Sequence, residues 1–309
     1  MNQLAFVFPG QGSQSVGMLD AMAGRFTQVR ATFEEASDAI DLDLWTLVTE
    51  GPESELNQTA ITQPAVLAAD IAVWRIWAEE GGPAPTLIAG HSLGEYAALV
   101  AAGSIGFADA TRLVARRGEL MQSAVTAGRG AMAAILGLDD EVVEALCREV
   151  SEGQVVSAAN YNSPGQIVIA GDAAAVERAL HQAKGAGARR AVILPVSVPS
   201  HCALMKPASA ALRATLEQIS ISEPAIPVLH NVDVETHFQD TAIRDALIAQ
   251  MFSPVRWTPT VRKMVDGGVD RVAECGPGRI LCGLGRRISR GTEWIALEDP
   301  EALMNTLQN

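Results

Sequence analysis

The chain lacks long apolar runs. No stretch reaches the ~18 residues that a helix needs to cross a bilayer, so no membrane-spanning helix and no membrane partner are expected. Basic residues are missing from its start: the first is Arg25, so a secretory leader with a charged head is not expected. Cysteine is scarce. The four residues Cys147, Cys202, Cys275 and Cys282 have no Cys-x-x-Cys spacing and read as free thiols in a reducing cytoplasm, the expected location. The spacing of His and Cys gives no metal site, and none is expected. Positive charge is in deficit, with 23 Lys and Arg against 36 Asp and Glu, and the net charge of −13 argues against nucleic-acid binding.

What is present is an ordinary globular composition. The 309 residues, 48% hydrophobic and 19% charged, suffice for a large core and one or two domains. The chain is organised around Thr86-Leu87-Ile88-Ala89-Gly90-His91-Ser92-Leu93-Gly94-Glu95. A short apolar run, a Gly-x-Ser-x-Gly turn and a small helix-forming run (96–102) read as strand, sharp turn and helix with Ser92 at the apex. The tight turn strains its central residue and leaves no room for side chains at the flanks. The adjacent helix N-terminus favours developing negative charge. Ser92 is thus a candidate nucleophile; the competing reading is a glycine turn whose serine caps the helix.

In chain order, Leu4-Ala5-Phe6-Val7-Phe8 reads as a buried strand running into Pro9-Gly10-Gln11-Gly12-Ser13-Gln14. This loop lacks the Gly-Lys-Ser/Thr and the full Gly-x-Gly-x-x-Gly of nucleotide sites, but its glycines let backbone approach a ligand. Residues 16–49 look helical, and 64–80 read as a long helix. The apolar positions of 108–124 form one stripe with Arg117 near its middle and Arg116 at its edge. A guanidinium on a buried face requires an anion: either an internal carboxylate or a substrate carboxylate gripped bidentately.

Residues 131–198 alternate as strand (131–138), helix (140–150), strand (154–160), strand (166–170), helix (173–184) and strand (191–196), the ferredoxin-like order. The expected architecture is therefore α/β: a hydrolase-like large domain (1–127 and 199–309) with a parallel sheet, and an inserted ferredoxin-like domain (128–198). The hinges are Gly128-Arg129-Gly130 outward and 195–199 on return, with a ligand cleft between. Of the five histidines, His201 on the return loop best faces that cleft, with His230 second; His91 should point away from the apex, His181 into solvent, and His237 lies in a polar loop. The last third reads as strand (226–230), helices (243–251 and 257–265), strand (269–274) and the Glu274-Cys275-Gly276-Pro277-Gly278 turn into helix 279–287.

Taken together these blocks resemble the free-standing malonyl-CoA:acyl carrier protein transacylases of fatty acid synthesis. The likeness covers nearly the whole chain. It rests on Phe8-Pro9-Gly10-Gln11-Gly12-Ser13-Gln14, Gly90-His91-Ser92-Leu93-Gly94-Glu95-Tyr96, Arg116-Arg117-Gly118, Asn160-Tyr161-Asn162-Ser163-Pro164-Gly165-Gln166, Pro199-Ser200-His201 and Glu274-Cys275-Gly276-Pro277-Gly278, in this order. The resemblance implies Ser92 as nucleophile, His201 as general base oriented by a backbone carbonyl near Gln250, and backbone N–H groups of Gln11 and Leu93 as the oxyanion hole. It implies Arg117 as the clamp for the malonyl carboxylate, and Asn160, Asn162, Gln166 and Arg190 along the coenzyme A approach. Malonyl-CoA and an acidic acyl carrier protein would be the partners, with no cofactor and a monomeric enzyme. Lys184, Arg189, Arg190, Arg286 and Arg287 are candidates for the docking patch. In modular synthases a bulky aromatic before the active-site histidine accompanies malonyl use; here Ser200 stands there. Related chemistry in a polyketide or malonate decarboxylase system, or a serine esterase or thioesterase, is the alternative.

Overall fold

The computed structural model describes residues 3–196 and 198–308; Ser197, within the predicted return segment, lies outside them. Nine strands occur among the described residues: β1 (Gln3–Phe8), β2 (Leu87–Gly90), β3 (Gly130–Leu136), β4 (Val156–Ser163), β5 (Gln166–Asp172), β6 (Arg190–Ile193), β7 (Val228–Leu229), β8 (Val269–Glu274) and β9 (Glu293–Ala296). Five of them form a parallel sheet in the order β7-β2-β1-β8-β9. β1 and β2 are in register from Ala5↔Leu87 to Phe8↔Gly90, so both chains leave the sheet side by side. That carboxyl edge is where parallel sheets collect their ligands.

The helix Thr59–Glu79 packs against this sheet. It is apolar all round, as a helix enclosed by other elements must be. Trp74 and Trp77 meet Phe6 edge to face at 5.5 and 5.0 Å. The helix starts earlier than the expected residue 64, with Pro64 inside it. Proline denies the Ala60 carbonyl its intrahelical donor, but Thr62 Oγ1 donating to Leu56 O (2.6 Å) and Ala60 N to Gln122 Oε1 (2.6 Å) hold the first turn. Residues 16–49 are not one helix but three, Asp20–Ala23, Thr27–Ile40 and Leu44–Glu50, separated at Gly24 and at Asp41, whose φ of 54° is left-handed. β9 and the helix Pro300–Gln308 had no counterpart in the sequence reading.

The second sheet is antiparallel, ordered β4-β5-β3-β6, and the helices Asp140–Glu149 and Ala173–Gly185 interrupt its strands in the sequence β-α-β-β-α-β. Alternation splits its residues by face. Ala133, Ile135, Ile167 and Ile169 pack with the two helices. Met132, Val168 and Ala170 point the other way, against Cys202. All four cysteines are free and buried.

Candidate active site

β2 ends at Gly90 and the helix Gly94–Ala101 begins four residues later, so the chain reverses within His91-Ser92-Leu93. Ser92 sits at φ 54°, a left-handed conformation that costs a non-glycine residue energy and persists only where packing enforces it. The two flanking glycines supply that packing. A Cβ on Gly90 would stand 1.8 Å from Gly94 C, and one on Gly94 would stand 2.1 Å from Phe8 O. The loop after β1 lies against the same turn: a Cβ on Gly10 would sit 2.4 Å from His91 O and 3.6 Å from Leu93 N. Gln11 and Leu93 therefore border one space, and among the described residues their backbone N–H groups enter no hydrogen bond. Asn231 fixes the turn from behind, accepting from Ser92 N (2.7 Å) and donating to Gly90 O (2.7 Å).

His201 arrives on the return from the antiparallel sheet, also left-handed at φ 62°. Its Nδ1 donates to Gln250 O (2.8 Å), which leaves Nε2 as acceptor for the Ser92 hydroxyl at 2.7 Å. Burial, with the charge of Arg117 as a second cause, holds the imidazole down to about 3, so the ring is neutral and free to take a proton at physiological pH. Among the described residues no carboxylate touches His201; a backbone carbonyl, not a carboxylate, accepts from Nδ1.

Arg117 comes from the helix Phe107–Ala124 and is 1% exposed. Its Nη1 donates to Gln63 Oε1 (2.8 Å), and its Nη2 to Gln250 Oε1 (2.9 Å) and, longer, to Ser92 Oγ (3.4 Å). Nε has no partner, and the guanidinium lies 5.4 Å from the Tyr96 ring centroid. Among the described residues no carboxylate stands within ion-pair distance of it. The buried cation is held by the amide oxygens of Gln63 and Gln250 and, at longer range, by the Ser92 hydroxyl, an environment that leaves its charge without a carboxylate partner and is expensive for an unpaired ion. Arg116, one residue earlier, is exposed and pairs with Glu119.

These groups open into one cavity of about 210 Å³ between the two sheets, lined by Gln11, Ser92, Leu93, Arg117, Asn160, Asn162 and His201 on its polar side and by Met121, Met132, Val168, Leu194 and Leu284 among its apolar walls. Asn160 Oδ1 is buried there without a partner. Gln166 and Arg190 do not reach this cavity. Gln166 bonds Arg287 outside it, because its side chain leaves β5 at the turn, and Arg190 is exposed on the outermost strand β6. His91 lines the cavity beside the turn, and as expected its ring goes to neighbours other than Ser92: Nε2 pairs with Asn162 Oδ1 (2.9 Å), the ring packs edge-on to Trp257, and burial lowers its pKa. His230 is fully buried on Glu95, behind the turn and without contact to Ser92. His237 pairs with Asp233 at 2.7 Å. The sequence reading missed Gln63, Asn231 and the side chain of Gln250. A glutamine in the middle of an apolar helix was a readable signal for the first; nothing local marks the other two.

The family model described as an acyl transferase domain matches residues 5–287. The malonyl CoA-acyl carrier protein transacylase of Salmonella typhimurium is 55% identical, with 99% of each chain aligned, and that of Bacillus subtilis is 43% identical over 100% of this chain and 97% of the relative. Among solved structures, a malonyl-transacylase in complex with a type II PKS acyl-carrier protein superposes with a TM-score of 0.99 at 55% identity over the whole of both chains. The malonyl CoA-acyl carrier protein transacylase of Coxiella burnetii superposes at 0.98 with 48% identity, covering 99% of this chain and 97% of the other.

Proposed function

The chain belongs to the acyl transferase family, and on that footing we propose that it moves a malonyl group from malonyl-CoA to the phosphopantetheine thiol of acyl carrier protein, supplying extension units for fatty acid synthesis. The observation that carries the substrate is Arg117: a buried guanidinium without a carboxylate partner, 3.4 Å from the Ser92 hydroxyl, is matched by an acyl group that brings its own carboxylate.

The reaction runs in two halves through an ester on Ser92. In the first, Ser92 Oγ attacks the thioester carbonyl as its proton passes to His201 Nε2. The carbonyl oxygen, now anionic, takes hydrogen bonds from the N–H groups of Gln11 and Leu93; loss of one such donor typically slows a reaction by ~10²–10³. The C–S bond then breaks, and His201 returns the proton to the departing coenzyme A thiolate. In the second half the carrier's thiol gives its proton to His201, its sulfur attacks the serine ester, and Ser92 recovers the proton as the C–O bond breaks. Thioester replaces thioester, so neither half calls for a cofactor. The apolar cavity walls hinder water, the competing acceptor.

Asn160 and Asn162 we assign to the coenzyme A arm, supported by the unpartnered Asn160 Oδ1 in the cavity. Gln166 and Arg190 would act further out, on the approach. The carrier would dock at the exposed Lys184, Arg189, Arg190, Arg286 and Arg287. We read residues 128–198 as a ferredoxin-like insert in a hydrolase-like domain, a reading supported by the strand order β4-β5-β3-β6. We take the enzyme to be a cytoplasmic monomer; four free thiols and the want of any described helix long and apolar enough to cross a membrane accord with the location.

Arg117→Ala tests the substrate assignment. With the clamp gone, acylation of Ser92 by malonyl-CoA should fall by about 100-fold while acetyl-CoA, which presents no carboxylate, falls far less. An unchanged ratio between the two donors refutes the clamp.

A further inference from the structure

Behind the reacting groups, on the side away from the cavity, lies a carboxylate that no step above uses. Glu95 is fully buried in the first turn of the helix Gly94–Ala101. Its Oε1 takes a hydrogen bond from His230 Nδ1 (2.8 Å). Its Oε2 takes two, from Asn231 N (2.9 Å) and from Gln250 Nε2 (2.9 Å). Both latter partners go on to the reacting residues. Asn231 Oδ1 holds Ser92 N. The Gln250 side chain donates to Ser92 O (2.8 Å) and accepts from Arg117 Nη2, while its backbone carbonyl holds His201 Nδ1.

Among the described residues Gln250 is thus the one bonded to nucleophile backbone, base and clamp alike, and Glu95 is an acceptor for the amide that orients it. An amide flipped end for end would present N–H groups to Arg117, which has only donors, and an oxygen to Glu95, which has only acceptors. The carboxylate therefore selects the amide orientation that leaves Oε1 for Arg117. Resting on the reading of Ser92, His201 and Arg117 given above, we propose that Glu95 is a positioning residue for acyl transfer: through Gln250 it sets Arg117 and His201 relative to Ser92. It touches no substrate, so its loss falls on the rate of the bound complex and spares KM.

Two conservative variants separate this role from that of a buried charge which only supports the fold. Glu95→Gln removes the charge but keeps an oxygen where Oε2 stands. Its new N–H₂ can face His230 Nδ1 once that ring carries its proton on Nε2, which has no partner now. Glu95→Asp keeps the charge but withdraws the carboxylate from Gln250 by one methylene. The measurement is rapid-quench intact mass of Ser92 acylation by malonyl-CoA, with rates taken per serine acylated at completion so that unfolded protein does not count. Glu95→Gln is expected within about 5-fold of the unmodified enzyme, and Glu95→Asp slower by about 30-fold in kcat with KM nearly unchanged. Placed in a Gln250→Ala background, Glu95→Asp should cost less than about 3-fold more, because residues acting through one another are not additive. An Asp variant as fast as the unmodified enzyme, a Gln variant as slow as Asp, or losses that multiply in the double variant each overturn the proposal. If the unmodified enzyme itself takes no malonyl group on Ser92, it is the functional reading that fails, and this inference falls with it.

Discussion

At the scale of single residues the site depends on protonation. Burial holds His201 down to about 3, and in the proposed reaction the form that accepts the Ser92 proton is the neutral one. Below that value the ring would be charged and the base lost; above it the base is fully present. Serine acylation should therefore be flat between about pH 5 and 8, without the inflection near 6.5 of an unperturbed histidine. A rapid-quench pH profile with an acid limb centred near 6.5 contradicts this. Asp70 behaves in the opposite sense. Both its oxygens are buried and unpartnered, and burial, helped by the nearby Glu274 charge, raises its pKa well above the usual range. The folded chain then binds a proton that the unfolded chain has released. This side chain's contribution to stability is highest below pH ~4 and declines as pH rises toward the folded-state pKa. Asp70→Asn, uncharged at every pH, should melt higher than the unmodified protein at pH 7 by ~2–4 °C, and the gain should vanish near pH 4. Parallel melting curves across that range would rule this out.

At the scale of elements the nucleophile turn is a steric construction. Gly90 and Gly94 face backbone atoms that cannot yield, so Gly94→Ala should disrupt the β2 turn, lower the melting temperature and abolish Ser92 acylation, whereas Gly283→Ala, whose Cβ meets nothing within 4 Å, should leave both intact. Equal effects of the two substitutions would count against the turn's role. This turn was readable because glycine spacing in a strand-to-helix context is local chemistry. So were the strands and helices of residues 130–193, whose edges shifted by a few residues at most. Other elements were not. β9 is a four-residue strand with only Trp294 buried, too short for alternation to show. The break at Asp41 depends on a left-handed residue rather than on a proline or glycine. The helix start at Thr59 depends on the Thr62 hydroxyl donating to Leu56 O and on the Gln122 amide oxygen accepting from Ala60 N, contacts that no local pattern announces.

At the scale of the whole molecule, function arises from contacts that separation along the chain conceals. Ser92 and His201 lie 109 residues apart, and Glu95 and Gln250 155. The resemblance to a family named the first pair and the backbone carbonyl of Gln250. Gln63 stood out only as a glutamine inside an apolar helix, and nothing local marked Asn231 or the Gln250 amide, whose roles exist only once distant segments of the chain meet at Ser92 and Arg117. Charge is also a property of the whole. With a net charge of −13, the docking proposed above for an acidic carrier calls for a local basic patch. Reversing Arg287 or Arg189 to Glu should slow transfer from the acylated serine to the carrier by about 10-fold, an effect that added salt shrinks, and leave acylation by malonyl-CoA unchanged. A parallel fall in both half-reactions would move the docking site elsewhere.

The most direct measurement of the central claim is intact-protein mass after brief mixing with malonyl-CoA, repeated after holo acyl carrier protein is added, with Ser92→Ala alongside. The predicted result is one malonyl group gained, absent from the Ser92→Ala protein, and transferred to the carrier within the second mixing. A gain that decays to free malonate whether or not the carrier is present would make the protein a hydrolase and contradict the account.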